Sequence, residues 1–220
     1  MKKGIVIGVS AMIALSLTAC SSNSASSRST STIRSSKKAA NKDGKKVSGQ
    51  LTKVGTYSVR EGRKATLLKI YYPDQSLTFS EGEKQVVVDV RTVKILQNDI
   101  QDTSIKTTLE DVYKTSIPGK RFFTIQIDFK LINKLGNDAY LEGFSSLTLG
   151  DRSLGNQQFY DPTPGVTVAS EAAYSNSIVA VIDKNQITLS KIGLALENID
   201  EPGQSSMLMK PTSSQYLNLN

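Results

Sequence analysis

Between Arg121 and Asn133 the chain alternates with period two. Phe123, Ile125, Ile127, Phe129 and Leu131 are interleaved with Thr124, Gln126, Asp128 and Lys130. On a helix these apolar residues would scatter around the axis. On an extended strand they share one face, with the polar set on the face toward water. A second long strand is expected from Gln85 to about Gln97. There Val86, Val88 and Val90 share one parity and Val93 and Ile95 take the other, the signature of a bulge or bend in mid-strand. Shorter β-like runs occupy 50–59, 65–72, 76–80, 144–149, 166–170, 177–182, 186–190 and 193–199. Turn-forming residues separate them, among them Pro73-Asp74, Pro118-Gly119, Gly136-Asn137-Asp138 and Pro202-Gly203. Glu61-Gly62-Arg63-Lys64 and Glu81-Gly82-Glu83-Lys84 each precede an apolar run and read as two similar hairpin turns. Residues 104–115 form the one plausible short helix. Many short strands on short connections define an all-β chain, expected to fold as a β-sandwich over residues 47–203.

The N-terminus has a different character. Met1-Lys2-Lys3 is a short positive segment, and Ile5 to Leu17 is an apolar run of thirteen residues. A spanning helix needs about twenty apolar residues, so this run reads as the core of a secretion signal, residues 1–19. It closes on Leu17-Thr18-Ala19-Cys20. These four residues resemble the lipobox of bacterial lipoproteins, where a branched residue three positions back and small residues beside the cysteine admit a dedicated peptidase. The resemblance implies cleavage before Cys20, a diacylglycerol on its sulfur and an outer-face membrane location. Two or more acyl chains are needed for stable anchoring.

Residues 20–46 are expected to be a disordered tether. Nine of the sixteen residues from Ser21 to Ser36 are serine, a lysine-rich run follows, and almost nothing in the segment can be buried. Fully stretched it reaches about 90 Å. The tether also explains the formal charge of +7. Residues 28–46 carry seven basic residues against Asp43 alone, and residues 47–220 hold 18 basic against 19 acidic. A nucleic-acid-binding domain carries its own basic face, so no nucleic-acid partner is expected here. The basic tether suits anionic lipid headgroups or an anionic wall polymer. Ser35-Ser36-Lys37-Lys38 has the S-x-x-K spacing of Ser/Lys acyl enzymes, but that chemistry needs a rigid helix start, and these residues lie in coil.

The run Phe122–Asn133, the polar bend Lys134–Asp138, then Phe144–Leu149 and Ser177–Ile182 with its hairpin Asp183–Gln186 follow one another along 85–200. With the lipobox and tether, they resemble small immunoglobulin-like lipoproteins of unknown function from Gram-positive bacteria. In that family a long inner strand ending in Asn leads through a loop to a shorter strand. The resemblance implies an immunoglobulin-like fold and an extracytoplasmic address, and it brings no established chemistry. Residues 47–84 depart from the pattern and are expected to add a hairpin or extend an edge. In the tail, 204–220, Met207-Leu208-Met209 suits an edge strand, while Ser213–Asn220 reads as frayed.

The chain has no histidine, no tryptophan and one cysteine. Intrachain disulfides, His/Cys zinc sites and imidazole catalysis are therefore ruled out. Asp99 with Asp102, Asp138 with Glu142, and Asp183 with Asn185 are loop residues of the type that bind calcium, without the ligand density of an EF-hand loop, and they read as turn residues. Glu110-Asp111 and Asp200-Glu201 are adjacent carboxylates, whereas a glycosidase needs two facing each other about 5–9 Å apart. The remaining candidate surface is aromatic. Tyr71-Tyr72 and Phe159-Tyr160 each precede a turn, and exposed tyrosines at one end of a sandwich suit protein or sugar binding. The alternative is that Tyr72 and Phe159 plug the core ends with the neighbouring tyrosines at the rim.

The expected protein is thus a lipid-anchored surface lipoprotein with a non-enzymatic binding domain, no cofactor or metal, and a protein or glycan partner. A solute-binding lipoprotein of a transporter and a small envelope hydrolase are the alternatives.

Overall fold

In a computed structural model the described residues are 44–204, 206–211 and 213–219. The expected signal peptide, Cys20 and most of the tether lie outside them. The elements are β1 (Tyr57–Arg60), β2 (Arg63–Tyr71), β3 (Ser76–Glu81), β4 (Lys84–Ile100), α1 (Lys106–Tyr113), β5 (Arg121–Lys134), β6 (Ala139–Leu141), β7 (Phe144–Leu149), β8 (Arg152–Gly155), β9 (Val166–Val168), β10 (Ala173–Ile182), β11 (Lys191–Leu196), β12 (Ile199–Asp200), β13 (Met207–Met209) and β14 (Gln215–Asn218).

The strands form an antiparallel all-β sandwich. One layer has the order β1-β2-β4-β5-β10, with β3 also on β4. The 17-residue β4 is long enough for β3 to pair with its first half and β2 with its second. The other layer is two four-stranded pieces, β14-β11-β7-β8 and β13-β12-β6-β9. The chain passes from one piece to the other at Glu142-Gly143 and again at Glu197-Asn198, where the Glu197 amide donates to the Gly143 carbonyl at 2.9 Å.

The parity change in β4 is a bulge. Pairing with β5 slips between Val90 and Thr92, leaving Arg91 without an opposite residue. The slip turns Val93 and Ile95 back to the face already held by Val86, Val88 and Val90, and all five are fully buried. They share a core with Ile125, Ile127, Phe129 and Leu131 of β5 and with Leu147, Leu149, Ile192 and Leu194 of the opposite layer. The Phe129 and Phe144 rings meet edge-on across the layers, 5.4 Å between centroids.

Several expectations need correction. The outer face of the β4–β5 sheet is not wholly in water. Residues 47–56 and α1 lie on it, and Leu51 packs with Ala65, Leu67 and Leu96, while Tyr113 packs with Ile100, Ile117 and Phe122. Burying Leu96 and Phe122 on that face requires such covers, and Lys94, Asn98 and Thr124 are buried on the same face. Of the expected strand 50–59 only its end is β1, because the preceding residues supply this cover. Residues 186–190 are not a strand. Lys184–Thr188 is a 3-10 turn, closed by the Asp183 amide donating to the Gln186 side chain at 3.0 Å. The short strands β6 and β8, of three and four residues, hold too few positions to show a period of two.

The domain also exceeds its expected 47–203 limits at both ends. Lys45–Val47 runs parallel to β1, with the Val47 amide donating to the Tyr57 carbonyl at 2.8 Å and the Tyr57 amide to the Lys45 carbonyl at 3.1 Å. The expected tether, 20–46, therefore overlaps the folded part at Lys45 and Lys46. At the other end, Ser213–Leu219 is not frayed. β14 pairs with β11 and buries Leu217 and Leu219 in the core. Alternating Tyr216-Leu217-Asn218-Leu219 is itself a strand pattern, too short to stand out. The segment 47–84 does add a hairpin, β1–β2. Glu61 and Gly62 at its tip both have positive φ, 46° and 72°, as a type I′ turn needs. Among the described residues no helix is long and apolar enough to cross a membrane.

Candidate functional site

The two aromatic pairs do not form one surface. Tyr71 ends β2 with its ring against the core, its hydroxyl 3.4 Å from the Leu189 carbonyl, and Tyr72 beyond it is 63% exposed. Phe159 is fully buried, and Tyr160, at 38% exposure, pairs through its backbone with Val179 of β10. β4 and β5 stand between β2 and β10, so the pairs sit toward opposite edges of the sheet. The burial also divides differently from the expected plug-and-rim arrangement. Phe159 plugs the core with Tyr160 at its rim, but on β2 it is Tyr71 that packs and Tyr72 that is exposed.

A polar cluster lies on the covered face of the β4–β5–β10 sheet. Asp128 accepts hydrogen bonds from Lys94 Nζ at 2.7 Å, Thr92 Oγ1 at 2.5 Å, Ser177 Oγ at 2.6 Å and Gln126 Nε2 at 2.6 Å. The Asp128 side chain keeps 23% exposure, the Lys94 side chain 7%. Burial works to raise the Asp128 pKa, but the bonds from Lys94, Ser177, Thr92 and Gln126 together hold it below the usual carboxylate value. Every partner converges on one saturated carboxylate. Ser177 therefore has no free base beside it, and the Lys94 ammonium is committed to the same carboxylate. The cluster is a structural peg across three strands. Its members occupy outward-facing positions, which look solvated in the sequence because the covers come from distant segments.

The candidate ligand site is a cleft of about 340 Å³ lined by Glu142, Asn156, Glu197, Asn198 and Asp200. It forms where the second layer changes from one piece to the other, because β6–β7 and β11–β12 both interrupt there. Glu142 accepts from Gln204 Nε2 at 2.7 Å, and Asn156 Nδ2 lies 3.4 Å from Glu197 Oε1. Three carboxylates and two carboxamides around an open cleft attract cationic groups and hydrogen-bond hydroxyls. In the sequence these residues are scattered over 59 positions, from 142 to 200, and no local motif joins them.

Gly143 shapes this break. Its φ is +100°, and a Cβ there would stand 2.7 Å from Asp161 Oδ2 and 2.8 Å from Pro164 Cγ. Asp161 uses that oxygen to accept from the Phe144 amide at 2.7 Å, and the other to accept from the Thr163 amide at 2.9 Å. Gly143→Ala is expected to destabilise the domain by about 1–3 kcal/mol. The urea midpoint checks this, and an unchanged midpoint would show that the loop relaxes freely.

The loop carboxylates are engaged by the backbone. Asp102 accepts from the Ser104 amide at 2.9 Å, which lowers its pKa, and Asp138 accepts from the Ser170 amide at 3.0 Å. Glu110 accepts from the Ile117 amide at 2.8 Å, which likewise lowers its pKa. Asp183 pairs with Arg152 at 3.1 Å. Cys20 and the rest of the expected lipobox, Leu17, Thr18 and Ala19, lie outside the described residues.

Comparison with protein families, with curated proteins and with solved structures finds no match to this chain.

Proposed function

We propose that this chain is a lipid-anchored lipoprotein of the outer membrane face whose β-sandwich is a binding module, not an enzyme. The observation that carries the reading is the sequence Leu17-Thr18-Ala19-Cys20 closing a short positive-then-apolar leader. The all-β architecture, with one eight-residue α-helix among the described residues, supports an immunoglobulin-like interaction domain over a solute-binding protein, which alternates strands and helices around a cleft. The acidic cleft is the surface best suited to a ligand, one bearing a cationic or polyhydroxylated group.

Radiolabelled fatty acid is expected to incorporate into the wild-type chain expressed in a bacterium. Cys20→Ala is expected to remove the label entirely and to shift the protein out of the mature, membrane-held pool. Equal labelling of the two forms would end the lipoprotein reading. Turnover of a glycan, ester or peptide by the purified protein would end the non-enzymatic one.

A further inference from the structure

The near-neutrality of the folded part conceals a segregation of charge. Residues 44–71 hold seven basic residues against Glu61 alone, whereas residues 72–220 hold 13 basic against 18 acidic. The basic set is gathered by the topology. Lys45 and Lys46 lie on the parallel segment beside β1, Lys53 in the turn leading to it, and Arg60 at the tip of the β1–β2 hairpin. All four are exposed. Among the described residues none of the four is in an ion pair, and Arg60 donates only to the Ser48 carbonyl, at 3.1 Å. Lys64 stands over the Tyr57 ring at 4.3 Å. The same edge exposes two apolar side chains, Val54 at 55% and Val59 at 42%.

We infer that this hairpin and the segment beside it form a surface that seats the folded domain on an anionic lipid bilayer. Basic side chains next to small exposed apolar ones match the headgroup boundary, where phosphates meet the first methylenes. An anionic wall polymer offers phosphates without an apolar layer, so Val54 and Val59 favour the bilayer. The chain enters the domain at this surface, with Gly44 only 24 residues beyond Cys20. On the lipid-anchored reading, on which the orientation rests, the anchor keeps the basic edge close to headgroups at high effective concentration. The acidic cleft belongs to the other layer and stays available to a ligand.

The test uses unacylated protein, so that its outcome does not depend on Cys20. The chain from Ser21 to Asn220 retains every described contact. Co-sedimentation with vesicles of 30% phosphatidylglycerol in phosphatidylcholine is measured for this chain and two variants. One reverses Lys45, Lys46, Lys53 and Arg60 to Glu. The other neutralises Arg28, Arg34, Lys37 and Lys38 to Gln. All four reversed residues are exposed, and an unchanged far-ultraviolet spectrum establishes that the fold is kept. A milder form with the same four changed to Gln serves if the Glu form misfolds. Binding is expected to weaken at least tenfold in the reversed variant, to survive in the tether variant, and to vanish on pure phosphatidylcholine or in 0.5 M salt. Equal vesicle binding by the reversed variant and the wild type overturns the inference. So does binding of soluble polyphosphate without binding of vesicles. Either result leaves the fatty-acid labelling of Cys20, and with it the anchor, untouched.

Discussion

Asp128→Ala is expected to cost about 3–5 kcal/mol of stability, because it strands the ammonium of Lys94, a residue only 5% exposed, on a covered sheet face. Thr92 and Ser177 lose the same acceptor. Chemical denaturation should show the loss as a lowered midpoint. Replacing both charges by apolar residues, Lys94→Met with Asp128→Leu, is expected to cost less than Asp128→Ala alone, since no buried charge is left unpaired. Acid supplies a second check. The folded-state pKa of Asp128 is depressed, so its contribution is present above the unfolded-state pKa of about 3.9 and is lost as pH falls through the lower folded value. The stability gap between wild type and Asp128→Asn should therefore be widest near neutral pH and close below about pH 4. A gap that stayed constant down to pH 2 would mean that Asp128 is not the depressed carboxylate described above.

Phe129→Ala removes the ring that joins the layers. Phe129 is 1% exposed, meets Phe144 of the opposite sheet edge-on, and lies 6.3 Å from the Tyr174 ring. Such a truncation leaves a cavity in a packed interior and costs about 3–5 kcal/mol, a large share of the 5–15 kcal/mol typical of a whole domain. At about 2–4 °C per kcal/mol for a domain of this size, the melting temperature should drop by about 6–20 °C. Phe129→Leu should cost distinctly less, because most of the volume is kept. Equal losses for the two variants would show that the aromatic edge, not the filled volume, sets the cost.

The long strands were legible in the sequence because each carries its own pattern. The strict alternation in β5 and the parity change in β4 required no knowledge of partners, and the parity change located the bulge at Arg91 to within a residue. The Glu-Gly pairs likewise marked hairpin tips correctly. Features decided by distant segments were not legible. Lys94 and Asp128 occupy positions that a lone strand would leave in water, yet Lys94 is only 5% exposed and bound to Asp128, on a sheet face that residues 47–56 and α1 cover in part. Strands of three or four residues such as β6, β8 and β14 hold too few positions for a period to emerge. The cleft was invisible for a related reason. Its carboxylates come from two separate strand interruptions and from β12, brought together by the pairing of β12 with β6 that no local pattern encodes.

The short parallel pairing of Lys45–Val47 along β1 has a consequence for how copies of this chain coexist. A sheet that ended on β1 would offer its unpaired amides and carbonyls to any neighbour. Here the chain caps that edge at Tyr57, whose amide and carbonyl are both bonded to the Lys45–Val47 segment, and places two exposed lysines beside it, so the approach of a second copy meets like charge. The same three residues that join the domain to its N-terminal segment thereby guard it against polymerising edge to edge when crowded.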